Sequence, residues 1–211
     1  MNRITELYSR LRPCRLFADI GCDHGFVAEL AVKNGIAEKV YISDISAKCL
    51  AKAEKLLAVH IRTGTVESYV SDGFAAFEET PDQALIAGMG GEEIVRILSE
   101  AKELPERLVL QPMKNASAVR RFLTQNGYKL LEDVTFREVK FYDVICAERG
   151  KDELTPDEEF FGRTNLETRP EAFLEKIGNE IADIGEYLKK PMSEESREEL
   201  LARKKRLESV L

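Results

Sequence analysis

The chain of 211 residues contains no tryptophan and only two histidines, His24 and His60, which argues against a histidine-based metal centre. Its four cysteines (Cys14, Cys22, Cys49, Cys146) are scattered, with no Cys-x-x-Cys pair. That spacing speaks against a disulfide framework or a zinc knuckle and predicts reduced thiols in the cytoplasm. No apolar run approaches the ~20 residues of a membrane span. The N-terminal stretch Met1-Asn2-Arg3-Ile4-Thr5-Glu6 lacks the apolar segment of a secretory signal. There is no internal repeat and no low-complexity tract. The net charge is −7, which argues against nonspecific nucleic-acid binding but leaves room for a local basic patch. Four arginines (Arg3, Arg10, Arg12, Arg15) oppose only Glu6 near the N-terminus and form the best such patch, although a solvated amphipathic helix has the same composition.

What is present begins with Leu16-Phe17-Ala18-Asp19-Ile20, an apolar run that reads as a buried strand. It enters Gly21-Cys22-Asp23-His24-Gly25 and then a helix to about residue 34. A strand, a glycine turn and a helix N-terminus make a nucleotide-type site. The dinucleotide fingerprint needs a middle glycine, and Cys22-Asp23-His24 stands there instead. An acidic residue two before the first glycine, Asp19, is the pattern of S-adenosylmethionine (SAM) methyltransferases; a purely structural turn is the alternative.

The rest of the chain alternates. Residues 2–11 read as a helix that Pro13 ends. Residues 39–43 form a strand ending at Asp44, placed to accept hydrogen bonds from ribose hydroxyls; the competing role is a cap for the helix at 46–58, for which Ser46 also qualifies. A third strand, 66–70, ends in Ser71-Asp72-Gly73. Asp72 could accept from an adenine amino group or cap a short helix at 73–78. A fourth strand, 82–87, runs into Gly88-Met89-Gly90-Gly91, where the lack of side chains permits close backbone approach. Helix 92–98, strand 107–110, helix 116–125 and strands 130–139 and 141–147 follow. This order describes an α/β doubly wound sheet, predominantly parallel, with one antiparallel strand.

The composition changes after Gly150. Residues 151–211 carry 11 basic and 16 acidic side chains. A linker at 151–156 precedes a capping box at Thr168-Arg169-Pro170-Glu171 and a helix whose seam is Phe173, Ile177, Ile181, Ile184 and Leu188. Pro191 breaks it, and Ser193 caps a second helix with Leu200, Leu207 and Leu211 along its seam. The expected arrangement is an antiparallel, partly coiled-coil hairpin, either an RNA-gripping arm or a packing or dimerising appendage.

These segments together resemble the bacterial TrmK-type tRNA (adenine-22-N1) methyltransferases over nearly the whole chain. Asp19 to Gly25, Ser43-Asp44-Ile45, Ser71-Asp72-Gly73, Ala87 to Gly91 and Leu110-Gln111-Pro112 carry the resemblance. The second glycine turn followed by Gln-Pro is the most specific part. Several relatives have Asn directly after Gln-Pro; Met113 stands there, with Asn115 two later, and the tail reads as short for the family. The resemblance implies a Rossmann-like class I SAM methyltransferase domain at 1–150 and a C-terminal coiled-coil hairpin at 151–211. It implies methyl transfer to adenine N1 in tRNA by a cytoplasmic enzyme with no membrane association, for which a monomer is expected.

On that basis Asp19, Gly21, Asp23, His24, Asp44, Ile45, Asp72, Gly73, Gly88 and Met89 are the expected SAM-binding residues. Gly88, Met89, Gly90 and Gln111 are expected around the reacting centre, and Arg3, Arg10, Arg12 and Arg15 on the RNA backbone. Enzymes that methylate exocyclic amines often place an Asn-Pro-Pro-aromatic turn after the fourth strand. The glycine turn here suits a ring nitrogen, whose lone pair needs no activation. Two alternatives remain: methylation of another RNA or a small molecule, and a nicotinamide-dependent oxidoreductase.

Overall fold

The computed structural model describes residues 2–211. In chain order the elements are α1 (Arg3–Ser9), β1 (Cys14–Ile20), α2 (Phe26–Lys33), β2 (Ala37–Asp44), α3 (Ala47–Leu56) and α4 (Ala58–Arg62). Then come β3 (Val66–Val70), β4 (Gln83–Met89), α5 (Gly91–Glu100), β5 (Arg107–Pro112), α6 (Ala116–Gln125), β6 (Tyr128–Arg137) and β7 (Phe141–Arg149). The chain ends with α7 (Pro156–Phe161), α8 (Arg163–Thr168), α9 (Glu171–Tyr187) and α10 (Glu194–Glu208).

The seven strands form one sheet in the order β3-β2-β1-β4-β5-β7-β6. β1 to β5 pair in parallel, and β7 is antiparallel to both β5 and β6. Alternating side chains of each strand feed two cores, because successive residues point to opposite faces. Phe17, Val40, Ile42, Leu85 and Val109 pack under Leu7 of α1, Ala28 of α2 and Leu50 of α3. Leu16, Ala18, Ile20, Ile86 and Leu110 pack under Ile94 and Leu98 of α5 and Val119 and Leu123 of α6. Asp19 shares the face of Phe17, so its carboxylate turns toward α2. Chain connectivity reverses between β1 and β4, the switch point at which open α/β sheets bind ligands.

Several expectations shift. The helix expected at 46–58 is α3, which stops at Leu56, and a second helix, α4, continues from Ala58 to Arg62. No helix forms at 73–78; Ser71 Oγ holds a turn there by accepting from Ala76 N at 3.1 Å and donating to Gly73 O at 3.2 Å. The capping box is not at Thr168, which ends α8, but at Thr155 and Glu158, which open α7. Pro170 is the N-cap of α9, without a side-chain hydrogen bond. Periodicity missed α7 and α8 because six-residue helices are too short to display a repeat.

In the tail, Phe173, Ile177, Ile184 and Leu207 are buried in a third core with Phe161. Val210 takes the place expected for Leu211, which is 60% exposed. Arg169, at the start of α9, donates to Leu211 O beyond the end of α10, so the two helices run antiparallel. The tail is anchored on the sheet rather than tethered by a linker. Arg120 of α6 and Asp133 of β6 form an ion pair at 2.9 Å with side chains only 2% and 1% exposed. Asp133 also accepts from the backbone N–H groups of Arg163 (3.1 Å) and Thr164 (2.8 Å) at the start of α8. Gly162 is required beside them, because a Cβ there would lie 2.8 Å from Arg120 Nη2 and 2.9 Å from Asp133 Oδ2, with φ at +93°.

Removing one member of a buried ion pair leaves the other charge uncompensated, at a cost of about 3–5 kcal/mol. Arg120→Met is therefore expected to lower the unfolding free energy by about that amount in urea titration.

Candidate active site

A cavity of about 690 Å³ opens at the carboxyl ends of β1 to β4. Its floor is the turn after β1. Gly21 N and Cys22 N both donate to Ser43 O, at 2.8 and 3.0 Å, which ties the end of β1 to the end of β2. Gly21 takes φ +67°, and the Met89 methyl carbon lies 2.1 Å from where its Cβ would stand. Met89 thus reaches from the second glycine turn across to the first. Asp23 sits at φ 45°, and Gly25, at φ 71°, is the N-cap of α2.

Asp19 lies beneath this floor, buried, and accepts from Ala28 N at 3.2 Å. Burial pushes its carboxyl up to about 7, against the opposing pull of that single hydrogen bond. Asp44 stands at the end of β2. One of its oxygens accepts from Ser46 N at 2.8 Å and the other from Asp23 N at 3.3 Å, and each keeps a further lone pair. Ser46, not Asp44, is the N-cap of α3. The adjacent Ile45 is an apolar side chain 72% exposed on the cavity wall. Asp23 is held by Lys52 of α3 at 2.8 Å, which keeps its carboxyl below the usual range. His24 stacks on Phe26 with ring centroids 5.3 Å apart. Asp72 caps no helix; Arg96 of α5 holds its carboxylate at 2.7 Å. Gly73 is kept open by Ile97, whose Cγ2 is 2.7 Å from the Cβ position.

The ten residues expected around SAM all line this one cavity. The expected reacting group does not gather as closely. Gly88 and Met89 face the cavity, whereas Gly90 and Gln111 are not on its wall. Gly90 lies beside Lys114 and Glu92. Gln111 is fully buried, and its Oε1 accepts from Arg3 Nη1 at 3.3 Å.

The four arginines do not form one patch. Arg3 lines the cavity. Arg10 is neutralised by Glu6 at 2.8 Å and Glu132 at 3.1 Å. The backbone N–H groups of Arg12 and Arg15 bond to Gln83 and Asp82, at the amino ends of β1 and β4. That edge lies about 20 Å from the cavity at ~3.3 Å per strand residue. Arg15 is also paired with Glu79. Proximity in sequence suggested a cluster, and helix α1 separates it, carrying the chain from Arg3 at the cavity to the opposite edge of the sheet before β1 begins at Cys14.

Residues missed from the sequence also line the cavity: Asn2, Ile4 and Leu7 of the α1 segment, Phe26, Ser71, Glu93, and Glu138 from the β6–β7 connection. The spacing of Phe26 beside the first turn could have flagged it. Nothing local marks Glu138, which the β6–β7 hairpin brings to the cavity from far along the chain.

A Rossmann-like sheet with an acidic residue closing β2, a buried acid before the first glycine turn and a cavity at the switch point defines a SAM-dependent methyltransferase fold. The chain belongs to the TrmK family, tRNA (adenine(22)-N(1))-methyltransferase, whose model matches residues 17–210. It is 32% identical over 144 residues to the tRNA (adenine(22)-N(1))-methyltransferase of Bacillus subtilis, covering 64% of this chain and 59% of that protein. The fold is similar to the crystal structure of the B. subtilis m1A22 tRNA methyltransferase TrmK, with TM-score 0.88, 25% identity, and 99% and 97% of the two chains covered. It is also similar to Streptococcus pneumoniae Sp1610 in complex with S-adenosyl-L-methionine, with TM-score 0.90, 26% identity, and 99% and 98% covered. Those coverages include the tail, which is therefore not shortened relative to these two chains. Membership in this family sets aside the oxidoreductase alternative.

The buried carboxyl of Asp19 gives a test of the site without any ligand. Its folded-state value is raised, so its contribution to stability is full at acid pH and is lost as pH rises through about 7. Asp19→Asn, which mimics the protonated form, is expected to be more stable than the unsubstituted protein at pH 8, by about 4 kcal/mol in denaturant titration. The difference should shrink toward pH 5; a constant difference across this range would refute the assignment.

Proposed function

We propose that this protein transfers the methyl group of SAM to ring nitrogen N1 of the adenine at position 22 of tRNA. The observation that carries this reading is the cavity wall. It presents Asp23, Asp44, Asp72, Glu93 and Glu138 above the buried Asp19, an acidic lining suited to a cationic ligand. SAM, when bound there, supplies a methyl carbon activated by a sulfonium. Asp44 would hold the ribose through its free lone pairs, and Ile45 would cover an apolar face of the adenine. Gly21 leaves room for the methionine portion once the flexible Met89 side chain turns aside. Asp72 is the weaker contributor, because Arg96 already claims one of its oxygens.

Adenine N1 has an in-plane lone pair, so no side chain need remove a proton. The protein's work is alignment, and proximity and orientation supply much of the rate. Gly88 and Met89 present backbone at the reacting centre. Positive charge moves onto the adenine ring during transfer, and the carboxylates around the cavity stabilise it there as well. N1 is paired within a duplex, so the base must be unpaired or extruded before it can enter.

We read residues 1–150 as the SAM-binding domain and 151–211 as a helical domain, with α9 and α10 as a short coiled-coil hairpin. No helix of the described residues is long and apolar enough to cross a membrane. We read the protein as a monomer working in the cytoplasm.

Incubation with labelled SAM and unmodified tRNA should place the label in 1-methyladenosine, and replacing A22 by G should abolish it. Label in N6-methyladenosine under neutral work-up, or in no nucleoside, overturns the reading. Asp44→Ala should weaken SAM binding at least about tenfold in calorimetry, as expected for losing charged hydrogen bonds.

A further inference from the structure

We propose that Arg3 receives the phosphate of the target nucleotide as it enters the cavity, and that Gln111 holds Arg3 in place to do so. This rests on the tRNA reading above. Six carboxylates line the cavity, and among the described residues Arg3 is the only lysine or arginine on its wall. Lys52 and Arg96 lie nearby but are paired with Asp23 and Asp72. A wall of that sign favours a cationic cofactor and repels a polynucleotide. The adenine cannot bring N1 to the cofactor without bringing its own phosphate toward the same mouth. One cation must offset the repulsion at that point.

Local structure puts Arg3 there. Asn2 caps α1 through its side chain, accepting from Thr5 N at 2.9 Å, and Leu7 anchors the helix in the core. The first helical residue is then carried over the second glycine turn. Arg3 Nη1 lies 3.3 Å from the position a Cβ of Gly88 would occupy, so it hangs directly above that turn. The guanidinium carbon is 5.8 Å from the centroid of Tyr142. Gln111 Oε1 takes one N–H at 3.3 Å, and the Gln111 amide is itself turned by a contact with Met113 Sδ at 3.4 Å.

Among the described residues the remaining donors of the Arg3 fork have no acceptor. When RNA displaces water from the mouth, they need one. A phosphate matches a guanidinium fork with two parallel bonds. The Watson–Crick edge of the adenine does not, because a donor there would occupy the N1 lone pair that must attack.

Three single variants and one double variant test this: Arg3→Met, Arg3→Lys, Gln111→Leu and Arg3→Met with Gln111→Leu, each assayed for SAM affinity, melting temperature and tRNA methylation over a range of KCl. SAM affinity and melting temperature should stay close to those of the unsubstituted protein. Arg3→Met should lower kcat/KM for tRNA by about tenfold or more. Its log–log salt dependence should flatten by about 0.7–0.9, the value of one phosphate contact. Arg3→Lys should keep the salt slope but not the full rate, because charge without the fork is insufficient. Gln111→Leu should cost less than Arg3→Met and add nothing on top of it, as for residues acting as one unit. The proposal is overturned if Arg3→Met retains kcat/KM within about threefold, if its salt slope is unchanged, or if SAM affinity falls in step with activity. Failure of the unsubstituted protein to methylate A22 overturns the tRNA reading and this proposal with it. An active protein unaffected by Arg3→Met overturns this proposal alone.

Discussion

Everything at the cavity depends on one carbonyl. Ser43 O accepts from both Gly21 N and Cys22 N, and so locks the first turn against the end of β2. Without that clamp the turn would have no fixed height above the sheet. Asp19 below it and Asp44 beside it would lose their common frame. The clamp also explains why glycine is needed at position 21. A backbone held this close to a neighbouring strand adopts φ +67°, which side chains disfavour, and the Met89 methyl already fills the space above.

The electrostatics follow from this geometry. A sheet that gathers its strand ends at one edge also gathers whatever those ends carry, and here they carry acids. Asp19 is kept apart from solvent and titrates near neutrality, while Asp23 is pulled down by Lys52. Two carboxylates four residues apart therefore differ in behaviour because one faces the core and the other faces a lysine. The same surface must attract a cation and admit a polyanion. The structure resolves that conflict by neutralising the flanking acids with Lys52 and Arg96 and leaving Arg3 facing inward.

Much of this was legible in the sequence. Strand runs, glycine turns and the acids at strand ends are local signals, and the ten residues they marked line one cavity. The single antiparallel strand was also legible, from two apolar runs placed next to each other. What escaped had physical reasons. The short helices α7 and α8 show no periodicity. The role of Asp72 depended on Arg96, 24 positions away. The four arginines part because helix α1 carries the chain from Arg3 at the cavity to the opposite edge of the sheet, where Arg12 and Arg15 lie. Gln111 was marked for the reacting centre, and the fold placed it behind Arg3 instead.

The strand β6 has a consequence for how the two parts of the molecule act together. Its middle is gripped by the tail through Asp133 and through Thr135, whose N–H bonds to Asn165 Oδ1 at 2.8 Å. Its last residue, Arg137, is paired with Glu175 of α9, and the very next residue, Glu138, is on the cavity wall. A strand hydrogen-bonded along its length does not stretch. The helical tail and the cavity therefore stand at a fixed separation, like the jaws of a gauge.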